Sequence, residues 1–500
     1  MMRKLTNRHC TAAVITAGIL AAVAPASAQS LQDALAQAYA NNPTLLAARA
    51  QLRTVDEGVP QALSGWRPTV VVNTSAGAAD QRTRSQAQVF RNDNSNFFRD
   101  PSSNLISRET GLTGAAGFIS TTQRQERTFA TGNITMTQPI YRGGRTVASV
   151  RQAENRVLAQ RARLYTVEQG VMLDTSNSYI AVIRTQEEVR LNINNEQVLT
   201  RQLQATNERF RVGEITRTDV AQAESRLAGA RAARAQAEGQ LETSRAVFTR
   251  LVGAAPQRLI APQPLQPPVR TGEQAREQAA NNNPAVVATL FDEAAARDAI
   301  DVQLSVLMPQ VSVTSQAFRN DNSAVPHSRV NGGQVTANLT VPIFQGGAEY
   351  SQVRQARQES QRQRALVADA RAVAVQQAAS AWETLRSTRA QVESVRAQIR
   401  AQEIALDGVQ REAIVGSRTT LDVLNAEQEL LNARVSLVRA LADNINASYS
   451  VASAVGRLTA QDLGLPVEFY DMRAYYNAVR DRWVGLGDYA RSAAATTTTR

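Results

Sequence analysis

The sequence predicts an α+β membrane protein written as two copies of one plan, a pair of short strands followed by a pair of very long helices. Three observations predict it. PIYRGG (139–144) returns as PIFQGG (342–347), 203 positions later. The hydrophobic period changes at each glycine pair, from alternation before it to recurrence every seven residues after it. Beyond residue 28 no run of 18 apolar residues occurs, which excludes a spanning helix but not strands with alternating faces.

The first 28 residues read as a secretory leader. Arg3, Lys4 and Arg8 make a basic start, Thr11 to Val23 is a short apolar run, and Ala26-Ser27-Ala28 is a small-residue cleavage site. Cys10 lies inside it, so the exported chain carries no cysteine and is held by packing alone. Loss of three cations takes the formal net charge from +11 to +8. Lys4 is the only lysine, and the arginines lie at helical spacing among Gln and Glu without interleaved aromatics. That pattern describes solvated helix faces, and no nucleic-acid partner is expected.

Residues 29–260 form the first repeat and 272–457 the second, joined by a proline-rich connector over 261–271 (APQPLQPPVRT). VRQAENRVLAQRARL (150–164) faces VRQARQESQRQRALV (353–367), and VGEITRTDVAQAE (212–224) faces VGSRTTLDVLNAE (415–427), all at the 203 offset. NNP at 41–43 and 282–284 keeps an offset of 241, so the first copy holds 38 extra residues between Pro68 and Pro139. FRNDNS occurs twice, at 90–95 and 318–323.

Each repeat opens on a helix, because Asn42 and Asn283 precede prolines suited to a first helical position. These helices are expected to end near Leu63 and Leu307. Alternation then takes over. Val70 and Val72 begin one strand, and Ile134, Met136 and Ile140 oppose Asn133, Thr135 and Thr137 in the next. In the second copy Val311 and Val313 alternate with Ser312 and Thr314. Val335, Ala337, Leu339, Val341 and Ile343 alternate with Gln334, Thr336, Asn338 and Thr340. Each strand is expected to run about ten residues, the length of a tilted membrane strand. Asp80 to Gln125 and Arg319 to Asn331, the latter with His327, are expected as polar surface loops. Pro139 and Pro342 are expected to close their strands, and the glycines Gly143, Gly144, Gly346 and Gly347 to allow the bend into a helix.

After the glycines the chain turns helical for a long distance. Val150, Val157, Leu164 and Val171 recur every seven residues, and Arg145 to Arg211 contains no proline. Those 67 residues would reach about 100 Å unbroken. Leu424, Leu431, Val438, Ile445 and Ala452 repeat the pattern, with a second seam at Leu421, Val435, Ala442 and Tyr449, so this helix touches neighbours on two sides. Gly213 and Gly416 punctuate the hairpins as left-handed caps, and Thr216-x-x-Asp219 and Thr419-x-x-Asp422 open the return helices as capping boxes. Residues 458–500 are expected to form an aromatic-rich segment that packs beside the connector as a collar or binds a partner, then a disordered tail from Ser492.

Four strands per chain cannot close a lipid-facing barrel, and an open edge in hydrocarbon leaves backbone groups unpaired. The strands must close with those of other chains, eight strands for two chains or twelve for three. An exported coiled-coil stalk or adhesin would explain the heptads but not the strand pairs. The exported chain offers one histidine, no cysteine, no metal spacing and no phosphate loop, so no enzyme, cofactor or metal is expected.

The leader, the duplicated strand–strand–helix–VG–helix unit, the PIYRGG and PIFQGG junctions and SRTTLDVLNAE together resemble the TolC family of outer-membrane efflux and secretion channels, from about Leu31 to Leu465. The resemblance implies a homotrimer in the Gram-negative outer membrane. Its twelve strands would form one barrel and its long helices a tapered periplasmic tube. It implies partners as well: a periplasmic adaptor (membrane fusion) protein and an inner-membrane pump of RND or ABC type. Outer-membrane lipid would surround the barrel. It places the periplasmic gate at the hairpin tips, with Asp422 in an acidic ring and Arg418 in the closing bonds toward Thr218 and Asp219. Asn425 stands where the family pattern has a second aspartate. Val212, Gly213, Glu214, Val415, Gly416 and Ser417 match the tips that meet the adaptor.

Overall fold

The computed structural model describes residues 29–90, 97–99, 106–108, 116–323, 327–487 and 489. The expected leader and the tail from Ser492 lie outside them, as does most of the first FRNDNS.

Local chemistry fixes where each helix starts. The Ser30 side chain accepts from Asp33 N–H and opens α1 (Leu31–Asn41) as a capping box. Asn42 accepts from the N–H groups of Thr44 and Leu45 at the head of α2 (Pro43–Asp56), with proline in the first turn. α3 (Gly58–Leu63) and a 3₁₀ turn (Ser64–Trp66) lead into β1 (Thr69–Phe90). A short hairpin of β2 (Phe97–Arg99) and β3 (Ile106–Arg108) precedes β4 (Ala116–Arg142). Then come α4 (Arg145–Arg211), a single helix of 67 residues, and α5 (Arg217–Val252). The second half runs α6 (Gly272–Asn282), α7 (Pro284–Leu304), a 3₁₀ turn (Ser305–Leu307), β5 (Gln310–Asp321) and β6 (Arg329–Thr340). It closes with α8 (Ala348–Ile414), also 67 residues, α9 (Thr420–Ala454) and the short α10 (Ala474–Val479). Among the described residues no helix is long and apolar enough to cross a membrane.

The four main strands form one antiparallel sheet in the order β1-β4-β5-β6. Its register puts Val70, Val72, Ile134, Met136, Val313, Val335, Ala337 and Leu339 on one face. Asn73, Ser75, Thr131, Asn133, Thr135, Thr314, Gln316, Thr336 and Asn338 share the other. The apolar face is left bare: Val70, Val72 and Leu339 are each more than 60% exposed. Charged pairs bound it at the end far from the helices, Arg124 with Asp80 and Glu126 at 2.9 and 2.7 Å, and Asp321 with Arg319 and Arg329 at 3.2 and 2.6 Å. On the polar face two aromatic rings lie over cross-strand glycines. A Cβ at Gly77 would stand 3.1 Å from Phe129, and one at Gly332 2.9 Å from Phe318.

Three expectations need correction. β1 and β4 run 22 and 27 residues rather than about ten, and pair from Thr69↔Thr137 to Phe90↔Ala116. Residues 80–90 and 116–125 are therefore ladder, not loop. The second connection is likewise shorter than expected, because β5 continues to Asp321 and β6 begins at Arg329. Over 81–86 the side chains are polar on both faces, so the ladder there rests on backbone pairing and carries no alternating signal. Third, Pro139 does not end its strand. β4 continues to Arg142, with a register shift against β5 between Pro139 and Tyr141. The missing N–H is harmless, since the β1 ladder has already stopped at Thr137. Pro342 does lie past the end of its strand, β6 stopping at Thr340.

The largest core sits where α1 and α2 cross α4, with Leu35, Leu45, Leu52, Met172, Tyr179, Phe248 and Leu458 fully or almost fully buried. The Tyr179 hydroxyl ties three segments together there. It lies 2.8 and 2.7 Å from the carbonyls of Gln29 and Ile260 and accepts from the Ile260 N–H at 3.0 Å. The C-terminal segment packs on α1, α2 and α4. Tyr470 N–H donates to the Tyr39 hydroxyl at 3.1 Å, and Tyr475 and Tyr476 reach Glu57 and Glu154 at 2.8 and 3.4 Å. Away from this region α4 packs on α5 and α9, and α8 on α9, through small clusters such as Leu199, Leu227, Ala230 and Leu424.

Candidate functional site

Two kinds of position are the candidates raised by the sequence: the junctions that join sheet to helices, and the hairpin tips at the helices' far ends. At the first junction Gly143 and Gly144 have φ of 61° and 82°, a region costly for residues with a Cβ. Gly143 is constrained twice, because a Cβ there would lie 2.6 Å from both the Met308 Cβ and the Ser305 carbonyl oxygen. The first bend thus packs directly on the 3₁₀ turn that leads into β5. Gly346 and Gly347 repeat the left-handed geometry at 78° and 83°, with open space around them.

At the first tip α4 ends in a six-residue cap. Gly213 N–H donates to Phe210 O at 3.0 Å and Glu214 N–H to Arg209 O at 3.0 Å. The second tip repeats it, Gly416 bonding Ala413 at 3.2 Å and Ser417 bonding Glu412 at 3.0 Å. Val212 and Val415 stand out from the tips, each more than three-quarters exposed. Each tip also carries a charged clasp, and the two have opposite polarity. Arg209 on the helix holds Glu214 in the turn at 2.6 Å, whereas Glu412 on the helix holds Arg418 in the turn at 2.9 Å. The hydrogen bond from Arg209 keeps the Glu214 carboxyl below its ordinary range.

Both tip aspartates cap helices. Asp219 Oδ2 accepts from Thr216 N–H and hydroxyl at 3.0 and 2.7 Å, and Asp422 Oδ2 from those of Thr419 at 3.0 and 2.8 Å. The Thr419 N–H and hydroxyl, helped by the charge of Arg418, hold Asp422 below the usual carboxylate range, so it is anionic near neutral pH. Thr218 is exposed beside Asp219. Within the chain, Arg418 spends its hydrogen bond on Glu412, inside its own hairpin.

Sequence reasoning missed a bond that joins the hairpins near their tips. Arg226 on α5 donates from Nη2 to Asn425 Oδ1 on α9 at 2.8 Å. Leu227 and Leu424, one residue along in each helix, belong to the same buried cluster. This contact lies two turns past Asp219 on α5 and about one turn past Asp422 on α9, and its only sequence signal is an arginine at the edge of an apolar seam. Arg439 on α9 reaches Glu188 on α4 at 2.9 Å farther up the same groove. Among the described residues no group of three His, Cys, Asp or Glu could hold a metal ion.

Residues 34–254 and 275–457 match the family model of the outer membrane efflux protein. The chain belongs to that family. The efflux protein is 32% identical over 484 residues to the outer membrane efflux protein BepC of Brucella suis, covering 97% of each chain. It is 25% identical to the outer membrane protein TolC of Vibrio cholerae, covering 87% of this chain and 92% of the relative. Its fold matches the outer membrane channel CmeC of Campylobacter jejuni with a TM-score of 0.70 and 15% identity, over 90% of this chain and 89% of that one. The efflux protein is accordingly an outer-membrane exit duct of an efflux or type I secretion system that reaches into the periplasm.

Proposed function

We propose that three copies of this chain build one duct. The observation that carries the reading is the sheet's pair of open edges. β1 and β6 have one partner each, while the face between them presents bare Val, Ile and Leu. Strand directions alternate across the sheet, so β6 of one copy meets β1 of the next antiparallel, as closure without edges requires. Three copies give twelve strands, with Thr, Asn, Gln and Ser toward the lumen and the apolar face toward outer-membrane lipid. The two halves of the chain, 29–260 and 272–457, act as structural repeats, each sending one strand pair into the barrel and one hairpin into the tube.

The duct carries no catalytic step and needs no cofactor. Cargo arrives from an inner-membrane pump of RND or ABC type through a periplasmic adaptor, which meets the tips at Val212-Gly213-Glu214 and Val415-Gly416-Ser417. Asp422, from three copies, lines the entrance as an acidic ring. Capping and ring roles are compatible, because both capping bonds fall on Oδ2. Arg418, Thr218 and Asp219 act in the closing contacts between hairpins, and the Arg226–Asn425 bond supports the closed form within each chain. Adaptor binding favours the splayed form of this bistable constriction. Heat-resistant trimers with mixed β and α circular dichroism in outer-membrane fractions are the expected result. A soluble, wholly helical product would overturn the reading.

A further inference from the structure

The segment after α10 has no place in the duct as described so far. α10 is anchored through buried Val479 and through Tyr476, whose ring lies 5.3 Å from the Arg161 guanidinium. The chain then leaves the core, and its apolar side chains are largely exposed. Trp483 is 66% exposed, Val484 88% and Leu486 fully exposed.

Its position is nonetheless fixed. Arg67, two residues before β1, donates to the Arg482 carbonyl at 2.6 Å and lies 5.1 Å from the Trp483 ring centroid. The neighbouring Trp66 offers its carbonyl to Gln138 Nε2 at 2.8 Å. Gln138 shares the face of Ile134 and Met136, the bare apolar face of the sheet. The arm therefore sits at the helix-side end of the strands, on their lipid side rather than their polar side. Exposed Ile140 and Tyr141 end β4 at the same end of the sheet.

We propose that residues 480–487 form an interfacial arm that inserts Trp483, Val484 and Leu486 into the periplasmic leaflet of the outer membrane at the foot of the barrel. Three features select a phospholipid surface. The arm continues the apolar band of the strands. Tryptophan and tyrosine beside arginine suit the depth where acyl chains meet headgroups. Arg67 and Arg482 supply cations for anionic phospholipid, and a surface element with an apolar edge and a cationic flank binds in the plane of a leaflet without spanning it. The proposal rests on the barrel reading above.

Single-tryptophan trimers test it. With Trp66→Phe and Trp382→Phe, Trp483 alone emits. The full-length protein is placed in phosphatidylethanolamine–phosphatidylglycerol vesicles whose acyl chains are brominated just below the headgroup. Trp483 should lose about half its emission or more to the brominated lipid and little to aqueous iodide, as an interfacial ring does. Quenching by iodide alone would place the arm in water and overturn the proposal. Protection from both quenchers would mean that a second copy covers it, which also overturns it. A tryptophan-free background carrying Met136→Trp reports the barrel separately. If that variant is quenched and Trp483 is not, the arm fails and the barrel stands. If Met136→Trp is also unquenched, the lipid-facing sheet itself fails.

Discussion

Arg226 on α5 holds Asn425 on α9 at 2.8 Å, and this bond joins the two hairpins of one chain near their tips. A half-buried hydrogen bond to a charged group contributes about 1.5–3 kcal/mol. Arg226→Ala should therefore raise the open fraction of the isolated channel by roughly ten-fold or more, about 1.4 kcal/mol being one decade. Asn425→Asp should act the other way, because a carboxylate makes a charge-assisted bond with the same arginine. Single-channel conductance in planar bilayers reads both, and equal conductance in all three proteins would remove the bond from the gate.

Arg418→Ser should also increase conductance, and a second variant tells how. In one chain Arg418 is engaged with Glu412, a half-exposed pair of the kind that contributes little by itself. If Arg418 latches neighbouring hairpins, Glu412→Gln frees it for that contact and conductance stays at or below the wild-type value. Should Glu412→Gln open the channel as Arg418→Ser does, the clasp within the hairpin is the relevant bond.

The junction glycines should differ in cost. Gly144→Ala meets open space and pays only for its left-handed backbone, about 1–2 kcal/mol. Gly143→Ala adds an overlap with backbone and Met308 that no rotamer relieves. Thermal dissociation of trimers in detergent should fall by several degrees for Gly144→Ala and much farther for Gly143→Ala, with poor yield. Equal shifts would mean that the 3₁₀ turn moves aside freely.

Asp56 gives a pH signature. It is fully buried on α2 without a hydrogen-bond partner among the described residues, and burial, opposed by the charge of Arg161, pushes its carboxyl up from 3.8 to about 6. The folded state then binds the proton more tightly than the unfolded state. Its contribution to stability is fullest below pH 4 and is lost as pH rises toward about 6, by at most about 3 kcal/mol. Asp56→Asn should raise the apparent melting temperature at pH 8, leave it nearly unchanged at pH 4, and flatten the profile between. An unaltered profile would show that Asp56 is not the titrating group.

What the sequence disclosed depended on how local the signal was. α4 was legible to the residue, since Gly144 and Gly213 bracket a stretch without proline and the heptad seam runs between them. The capping boxes at Thr216 and Thr419 were equally local. The outer halves of β1 and β4 were not, because Gln81, Arg82, Thr83, Arg84, Ser85 and Gln86 are polar on both faces and alternation has nothing to alternate. Pro139 misled for a related reason: its tolerance depends on where β1 stops, a fact of pairing and not of sequence. The Arg226–Asn425 bond joins residues 199 positions apart, and neither has a neighbour that announces it.

The pairing of β4 with β5 has a kinetic consequence. Thr137 meets Thr314 only after α4, α5, the connector and α7 have folded back between them. Non-local pairing of this kind is slow, because the loop must be closed before any contact rewards it. Long helices form from neighbours in sequence and need no such wait. The newly exported chain should thus pass through a helical intermediate whose β1 and β4 edges are unpaired and prone to aggregation. Insertion into the bilayer is then the last event of maturation, and the step at which a periplasmic holdase would act on the nascent duct.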